Sequence, residues 1–287
     1  MKLQRVSEHV YFVQGMAGIA TDNAGFVSNA GVVFTGEGIV LFDALGTPSL
    51  AHKLLGLIRG ISSAPLRYVV LSHYHADHVY GLQVFEEAGA RILAPAGAEH
   101  YLRSEGAAER LEERRLSLAP WVNDETRLVE PDEYVDVPRT LELGDVRLVL
   151  TPVGAAHSDG DLTLYVEPDR VLFSGDIIFE GRIPFMGDAN SRHWLEVLEH
   201  MESRRLAAMI PGHGALAVDP GRAISDMRRY LSYLREQMGA AVEEMIPFEE
   251  IYDQIDWSAW QDMPAFREAN RRNALQVYLS MEGEQFE

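Results

Sequence analysis

The feature that most constrains this chain is a cluster of metal-ligand side chains placed directly after an apolar segment. Three histidines and one aspartate lie within six residues, in the pattern His73-x-His75-x-Asp77-His78. They follow residues 66–71, whose length and β-branched content are typical of a buried strand. The carboxyl end of such a strand is where open α/β sheets bind ligands. Because imidazole and carboxylate groups bind zinc, iron and manganese, the pattern predicts a metal site rather than a solvated polar turn.

Three later strand-like segments each lead to one more side chain of the same kind. The segments are residues 146–152, 170–173 and 207–210, and the side chains that follow them are His157, Asp176 and His213. Five histidines and two aspartates at four strand ends are enough ligands for two metal ions. The chain contains no cysteine, so only nitrogen and oxygen ligands are available and a disulfide scaffold is excluded.

This ordered set of motifs resembles the metallo-β-lactamase superfamily over about residues 1–218. The resemblance implies an α/β (α+β) fold, a four-layer αββα sandwich with the metals at one edge between two sheets. Residues 219–287 are predicted to be a C-terminal helical extension packed on this catalytic domain, with a dimer face or a substrate lid as alternatives. Within the superfamily the chain is similar to glyoxalase-II-like hydrolases and to a bacterial branch associated with sulfur oxidation and quinoprotein systems.

The resemblance also implies a role for each ligand residue. The first metal ion is assigned three ligands, His73, His75 and His157. The second is assigned three others, Asp77, His78 and His213. Asp176 would bridge both ions, Asp77 would also orient the attacking water, and Asp43 would brace the ligand loop from behind, as metal-bound histidines require. The expected cofactor is two divalent ions, with Zn favoured, although Fe or Mn would accept the same ligands.

These ligands predict a hydrolase in which a metal-bridging hydroxide attacks the carbonyl of a small ester, thioester or lactone. A mononuclear iron persulfide dioxygenase is an alternative, but it does not need the second ligand set. A β-lactamase with weak activity is a second alternative, although Asp176 stands where such enzymes usually carry Cys or Ser. A metal-binding protein without turnover is a third, and the intact ligand set argues against it.

Candidate substrate contacts come from two segments near the ligands. An apolar loop is predicted at residues 177–190, and it contains Arg182, which could hold a substrate carboxylate, and Phe185. Trp121 follows a charged helical segment and could line a pocket. A structural ion pair for Arg182 and ordinary packing for Trp121 remain the alternatives.

Charge and hydropathy limit the partners that we expect. The 287 residues carry a net charge of −19, which disfavours nucleic acid and anionic membranes, since both attract basic surfaces. The first residues contain no apolar segment of the signal-peptide type, and no later one is long enough to span a membrane. We therefore expect a cytoplasmic enzyme with a small-molecule substrate, and a homodimer is compatible with the helical extension.

Overall fold

The computed structural model describes residues 1–202 and 205–285. Within them the strands are β1 (Leu3–Arg5), β2 (Val10–Val13), β3 (Ala30–Thr35), β4 (Gly38–Phe42), β5 (Leu66–Val70), β6 (Arg91–Pro95), β7 (Glu133–Val135), β8 (Arg139–Leu143), β9 (Val146–Gly154), β10 (Asp161–Val166), β11 (Val171–Glu180) and β12 (Ala208–Gly214). The α-helices are α1 (Pro48–Arg59), α2 (Ala76–Val79), α3 (Leu82–Glu87), α4 (Ala98–Leu102), α5 (Glu105–Ser117), α6 (Ser191–Glu202), α7 (Pro220–Glu243), α8 (Phe248–Ile251) and α9 (Phe266–Glu284).

Two mixed sheets form the centre of the molecule. In the first, the strands lie in chain order from β1 to β7, antiparallel as far as β4 and parallel from there on. In the second, the order is β12-β11-β10-β9-β8, antiparallel except for the pair β11 and β12. The parallel strands β4, β5 and β6 end at one common edge, which is the edge where such sheets bind ligands.

Three apolar clusters separate four layers. Between the sheets, Phe42 of β4 stacks on Phe173 of β11, with ring centroids 5.3 Å apart. Helices α1 and α3 cover the first sheet with buried side chains that include Leu54 and Phe85. Helices α6, α7 and α9 cover the second sheet around the fully buried Trp194. The four-layer αββα sandwich that the sequence predicts is therefore confirmed.

The C-terminal segment is helical, as its residue pattern predicts. Helices α7 and α9 pack on each other, and both share one apolar cluster with α6 and β11. Leu231 and Leu234 of α7 are fully buried in this cluster. The packing agrees with an extension seated on a catalytic domain, while the division into residues 1–218 and 219–287 stays a prediction. Residues 286–287 of the second range lie outside the described residues.

None of the helices within residues 1–202 and 205–285 combines the length and the apolar character needed to cross a membrane. Helix α7 has 24 residues, but charged side chains interrupt it, among them Arg222, Asp226, Arg229 and Arg235. Helix α9 has 19 residues, of which only one face is buried.

Contacts between one histidine and two carboxylates join the two sheets, at the edge opposite the strand ends that carry the metal-ligand residues. The ring of His9 contacts Asp169 at 2.8 Å through Nδ1 and Asp145 at 3.3 Å through Nε2. Burial lowers the pKa of His9, but the hydrogen bonds and charges of the two carboxylates outweigh burial, so the pKa is raised above 6.5. Protonated His9 therefore stabilises the folded state.

We expect His9→Gln to lower the free energy of unfolding by about 1 kcal/mol at pH 5.5 and by less at pH 9. Because the folded-state pKa is raised, the contribution is fully present below the unfolded-state pKa near 6.5 and is lost as the pH rises through the folded-state value. Denaturant unfolding of the wild type and the variant at both pH values measures the difference. A loss of stability that is equal at the two pH values, or larger at pH 9, would contradict this role.

Candidate metal centre

The first four ligand residues lie where β5 turns into helix α2. His73 and His75 stand in the turn, and Asp77 and His78 lie in the helix itself. His75 is the residue before the helix and has an extended backbone, with φ −66° and ψ 149°. The strand-to-helix context that the motif predicts is therefore present, and all four side chains are placed at the carboxyl end of β5.

Asp176 and His213 lie within β11 and β12 rather than after them. The sequence predicted a loop at residues 177–190, and this was wrong for the first four residues, which continue β11. The pairing of β11 with β12 is irregular around Gly175, and the φ of 53° at this glycine is unfavourable for other residues. Despite this irregularity, β11 continues past Asp176 as far as Glu180. A Cβ atom on Gly212 would lie 1.9 Å from Asp176 Oδ1, so only glycine leaves room for this carboxylate.

Three imidazole nitrogens converge on one point. His75 Nδ1 lies 2.9 Å from His73 Nε2 and 3.0 Å from His157 Nε2. His73 and His157 are buried and His75 is partly buried, and the three nitrogens lie within 4.8 Å of one another. A trio of nitrogen ligands is what many catalytic zinc sites use, because it leaves a coordination position for water.

A second group lies beside the first. His213 Nε2 is 3.2 Å from Asp77 Oδ2, and His78 Nε2 is 3.5 Å from the same oxygen. These ligand atoms also lie within 4.8 Å of one another. The imidazoles are buried, whereas the Asp77 side chain is 28% exposed. Asp77 is therefore the most solvent-accessible side chain of this group.

The carboxylate of Asp176 lies between the two groups. Its Oδ2 is 3.3 Å from His157 Nε2 and 3.2 Å from His213 Nε2, and its Oδ1 is 3.3 Å from His78 Nε2. Asp176 Oδ1 and His78 Nε2 are buried and have no hydrogen-bond partner. Buried polar atoms without a partner are rare in folded proteins, and a cation beside them would satisfy both atoms. The seven side chains therefore could hold divalent metal.

Asp43 supports this cluster from the first sheet. It follows β4, is 1% exposed and has a positive φ of 65°. Its carboxylate accepts hydrogen bonds from the Ser72 amide at 2.7 Å and the Ser72 hydroxyl at 2.8 Å, and lies 2.9 Å from His78 Nδ1. The Ser72 hydroxyl is also 2.8 Å from His73 Nδ1. Asp43 thus holds the ligand turn and orients His78 with Nε2 toward the cluster.

Two further supports were not predicted. The Val27 carbonyl lies 2.8 Å from His213 Nδ1. The carboxylate of Asp161 accepts hydrogen bonds from the backbone amides on both sides of His157, at 3.1 and 3.0 Å. Any residue supplies a backbone carbonyl, so Val27 carries no signal in the sequence. Asp161, in contrast, is an acidic residue four positions after a ligand histidine, and that spacing is a usable cue.

Burial is the largest influence on the pKa of each ligand side chain. It lowers the pKa of the three imidazoles in the first group, that of His157 to about 3, and this favours the neutral form that binds metal. In the second group the charges of Asp176 and Asp77 outweigh burial and raise the pKa of both imidazoles. Burial raises the pKa of the two carboxyls, but the surrounding imidazoles outweigh it, so both pKa values lie below the usual range.

The candidate substrate contacts are placed in two regions. Arg182 and Phe185 lie in the loop after β11, where the guanidinium stands over the Phe185 ring, 5.4 Å from its centroid. Arg182 is buried and lines a cavity with residues of α7. Trp121 lies after α5, is 39% exposed, and is absent from the described residues that line this cavity. Its predicted pocket role stays a prediction.

The fold and the ligand arrangement define a class of protein, and comparison with known families agrees with it. Residues 23–213 match the sequence profile of the family described as the metallo-beta-lactamase superfamily, so the chain belongs to this superfamily. Membership of this superfamily, together with relatives named as thioesterases and an alkylsulfatase, indicates that the protein is a hydrolase of the metallo-β-lactamase fold.

Individual relatives are distant. A beta-lactamase-like protein 2 homolog of Caenorhabditis elegans is 21% identical over 78% of this chain and 67% of its own length. An acyl-coenzyme A thioesterase MBLAC2 of Gallus gallus is 28% identical over 61% of this chain and 68% of its own. The chain thus matches about two thirds of the length of these relatives.

Among solved structures, a metallo-beta-lactamase from Pontibacter korlensis has a TM-score of 0.64 at 19% identity, covering 80% of this chain and 98% of its own. The sec-alkylsulfatase Pisa1 from Pseudomonas sp. has a TM-score of 0.73 at 17% identity, covering 97% of this chain and 50% of its own. At these identities the structures establish the shared fold alone.

Proposed function

We propose that the protein is a dinuclear metal-dependent hydrolase that cleaves a small ester, thioester or lactone at its carbonyl. The observation that carries the proposal is the position of Asp176, whose two oxygens face both groups of imidazoles at 3.2 to 3.3 Å. A carboxylate in this place can be shared by two ions. Zinc is the favoured metal, and iron or manganese suit the same nitrogen and oxygen ligands.

Two divalent ions, when bound, lower the pKa of a shared water and stabilise negative charge on a carbonyl oxygen. The chain's own residues position the reaction. Buried His73 and His157 close one side of the cluster, while the more exposed His75 and Asp77 leave the other side open to substrate. Asp77, with one oxygen near His213, can use its second oxygen to orient the attacking water.

Two relatives support a carbonyl substrate. Besides the Gallus gallus protein, an atrochrysone carboxyl ACP thioesterase of Aspergillus fumigatus is 26% identical over 67% of this chain and 38% of its own length. Both names describe thioester hydrolysis, which needs a nucleophile and a group that takes up charge on the carbonyl oxygen. The complete second ligand set, Asp77, His78 and His213, supports the hydrolase over a mononuclear iron dioxygenase.

The test is a substrate panel with zinc-loaded protein: an acyl thioester, a γ-lactone, nitrocefin, a phosphodiester and an alkyl sulfate. We expect turnover of a carbonyl substrate, at least about 10³-fold above the uncatalysed rate, with loss on chelation and recovery when zinc returns. Nitrocefin should be a poor substrate because Asp176 occupies the bridging position. Oxygen uptake with a persulfide, without hydrolysis of any carbonyl substrate, would overturn the proposal.

A further inference from the structure

The strongest feature that the proposed chemistry does not use is a buried cation without an anion. Arg182 is 5% exposed, yet its Nη2 has no hydrogen-bond partner. Its Nε makes one long contact, 3.5 Å, with the Ile183 carbonyl, and the ring of Phe185 lies beside the guanidinium. Burying a charge without a counter-ion is costly, so such a group in a folded protein points to a missing anion.

Neighbouring arginines show that this lack of a partner is specific to Arg182. Arg222 and Arg229 line the same cavity, but Arg222 contacts Glu180 at 3.0 Å and Arg229 contacts Asp226 at 3.8 Å. Among the described residues, Arg182 forms no ion pair within 4.0 Å. Three carboxylates act on Arg182 electrostatically. Asp176 and Asp77 already contact the imidazoles of the metal centre, and the third, Glu268, is exposed and makes no ion pair with Arg182.

The cavity beside Arg182 lies next to the metal centre, with Phe179 between them, and none of the seven ligand residues is among the described residues that line it. Phe179 forms part of its wall, and the same ring stacks on His213 with centroids 4.9 Å apart and planes 4° from parallel. The cavity has a volume of about 250 Å³, and its apolar lining includes Ile183, Pro184 and Met227. A short acyl chain fits this volume, whereas a large carrier such as coenzyme A does not.

The C-terminal extension builds the far wall of the cavity. Helix α7, Trp260 and Met263 line it, and all of them lie beyond residue 213, where the family match ends. The extension also fixes the loop that carries Arg182. The buried amide of Asn273 on α9 donates to the Pro184 carbonyl at 2.7 Å and accepts from the Met186 amide at 3.1 Å.

We propose that this cavity, closed by the C-terminal extension, binds a carboxylate at the far end of a short acyl chain, and that Arg182 recognises that carboxylate. The inference rests on the proposed function, since the acyl carbonyl must reach the metal centre while the carboxylate pairs with Arg182. Arg182 suits this task because its planar guanidinium can pair with both oxygens of a carboxylate. The expected substrate class is thus a thioester or ester of a dicarboxylic acid.

The test compares two thioesters of N-acetylcysteamine, which is a neutral leaving group: the glutaryl thioester, with a terminal carboxylate, and the pentanoyl thioester, with a methyl group there. Wild-type protein should favour the glutaryl compound in kcat/KM by at least about 10-fold. Arg182→Met should lose about 10- to 100-fold on the glutaryl compound, mainly in KM, and less than about 3-fold on the other, as expected for a lost charge-assisted hydrogen bond. Equal wild-type rates on the two thioesters would overturn the subsite and leave the hydrolase standing.

Arg147→Met is the matched control, because Arg147 is not among the described residues that line the cavity and it has Glu167 as a partner at 3.2 Å. It should keep the substrate preference within about 2-fold. Arg182→Met should also melt no lower than the wild type, since the variant removes a buried unpaired charge. A marked fall in its melting temperature would show that Arg182 is structural and would overturn the inference.

Binding of free glutarate, measured by calorimetry, separates the subsite from the reaction. Glutarate should bind the wild type at least about 10-fold more tightly than Arg182→Met, whereas pentanoate should bind both equally. If glutarate shows this pattern but neither thioester is cleaved, the proposed hydrolysis fails and the subsite stands. If inorganic sulfate binds as tightly as glutarate, the site is a general anion site and the carboxylate assignment is overturned.

Discussion

Asp176→Asn is expected to reduce kcat/KM on any substrate of the enzyme by at least about 10³-fold. The carboxylate of Asp176 faces both groups of imidazoles, so an amide in its place removes the negative charge that two cations would share. The change should therefore weaken both of the proposed metal positions together, and each bound ion would contribute several kcal/mol to stabilising charge in the transition state. The measurement combines steady-state kinetics with metal content per chain.

Asp188→Asn provides the comparison. Asp188 is an exposed carboxylate that acts electrostatically on His75 but belongs to none of the ligand groups in the described part of the chain. The same chemical change there should alter kcat/KM by less than about 3-fold and leave the metal content unchanged. If Asp176→Asn retained two metal ions and full activity, the bridging role of this carboxylate would be wrong.

A residue that is not itself a metal ligand should also have a large effect on metal affinity. Asp43→Asn should weaken zinc binding by about 10- to 100-fold. Asparagine tolerates the positive φ of 65° at this position, so the backbone is preserved. However, an amide group facing His78 Nδ1 would make that nitrogen an acceptor and place the imidazole proton on Nε2, which is the atom needed for the metal.

Asp169→Asn is a matched change far from the metals. Asp169 is also a carboxylate paired with a histidine ring, His9, at 2.8 Å. This variant should lose about 1 kcal/mol of folding stability, and it should keep the zinc affinity of the wild type. Zinc titration against a competing chelator gives both affinities. Equal zinc affinity in Asp43→Asn and the wild type would show that Asp43 serves the fold alone.

The ligand set could be predicted from the sequence because each member follows an apolar segment, although Asp176 and His213 lie within β11 and β12 rather than after them. The motif from His73 to His78 follows a segment whose length and β-branched content are typical of a buried strand, and a strand fixes where its next residues lie. His157 and His213 follow similar segments. The layer order followed from the resemblance to a known family, and the ligand-to-ligand geometry required the structure, since spacing in sequence does not give distances.

Other features had no reliable local signal. Whether β11 ends before or after Asp176 depends on its irregular pairing with β12 around Gly175, and long-range pairing is not encoded in neighbouring residues. Likewise, the sequence identified Arg182 as the single cation of its loop but could not show whether a carboxylate lies near it. The extension that encloses Arg182 comes from residues at least 38 positions further on, beginning at Pro220.

The number of metal ions per chain tests the proposed dinuclear centre most directly, measured by plasma mass spectrometry on protein purified without added metal and again after zinc titration. We expect two divalent ions per chain, together with hydrolysis of a carbonyl substrate that follows the occupancy of both positions. One iron per chain, with oxygen uptake and no hydrolysis, would contradict the shared-carboxylate centre around Asp176.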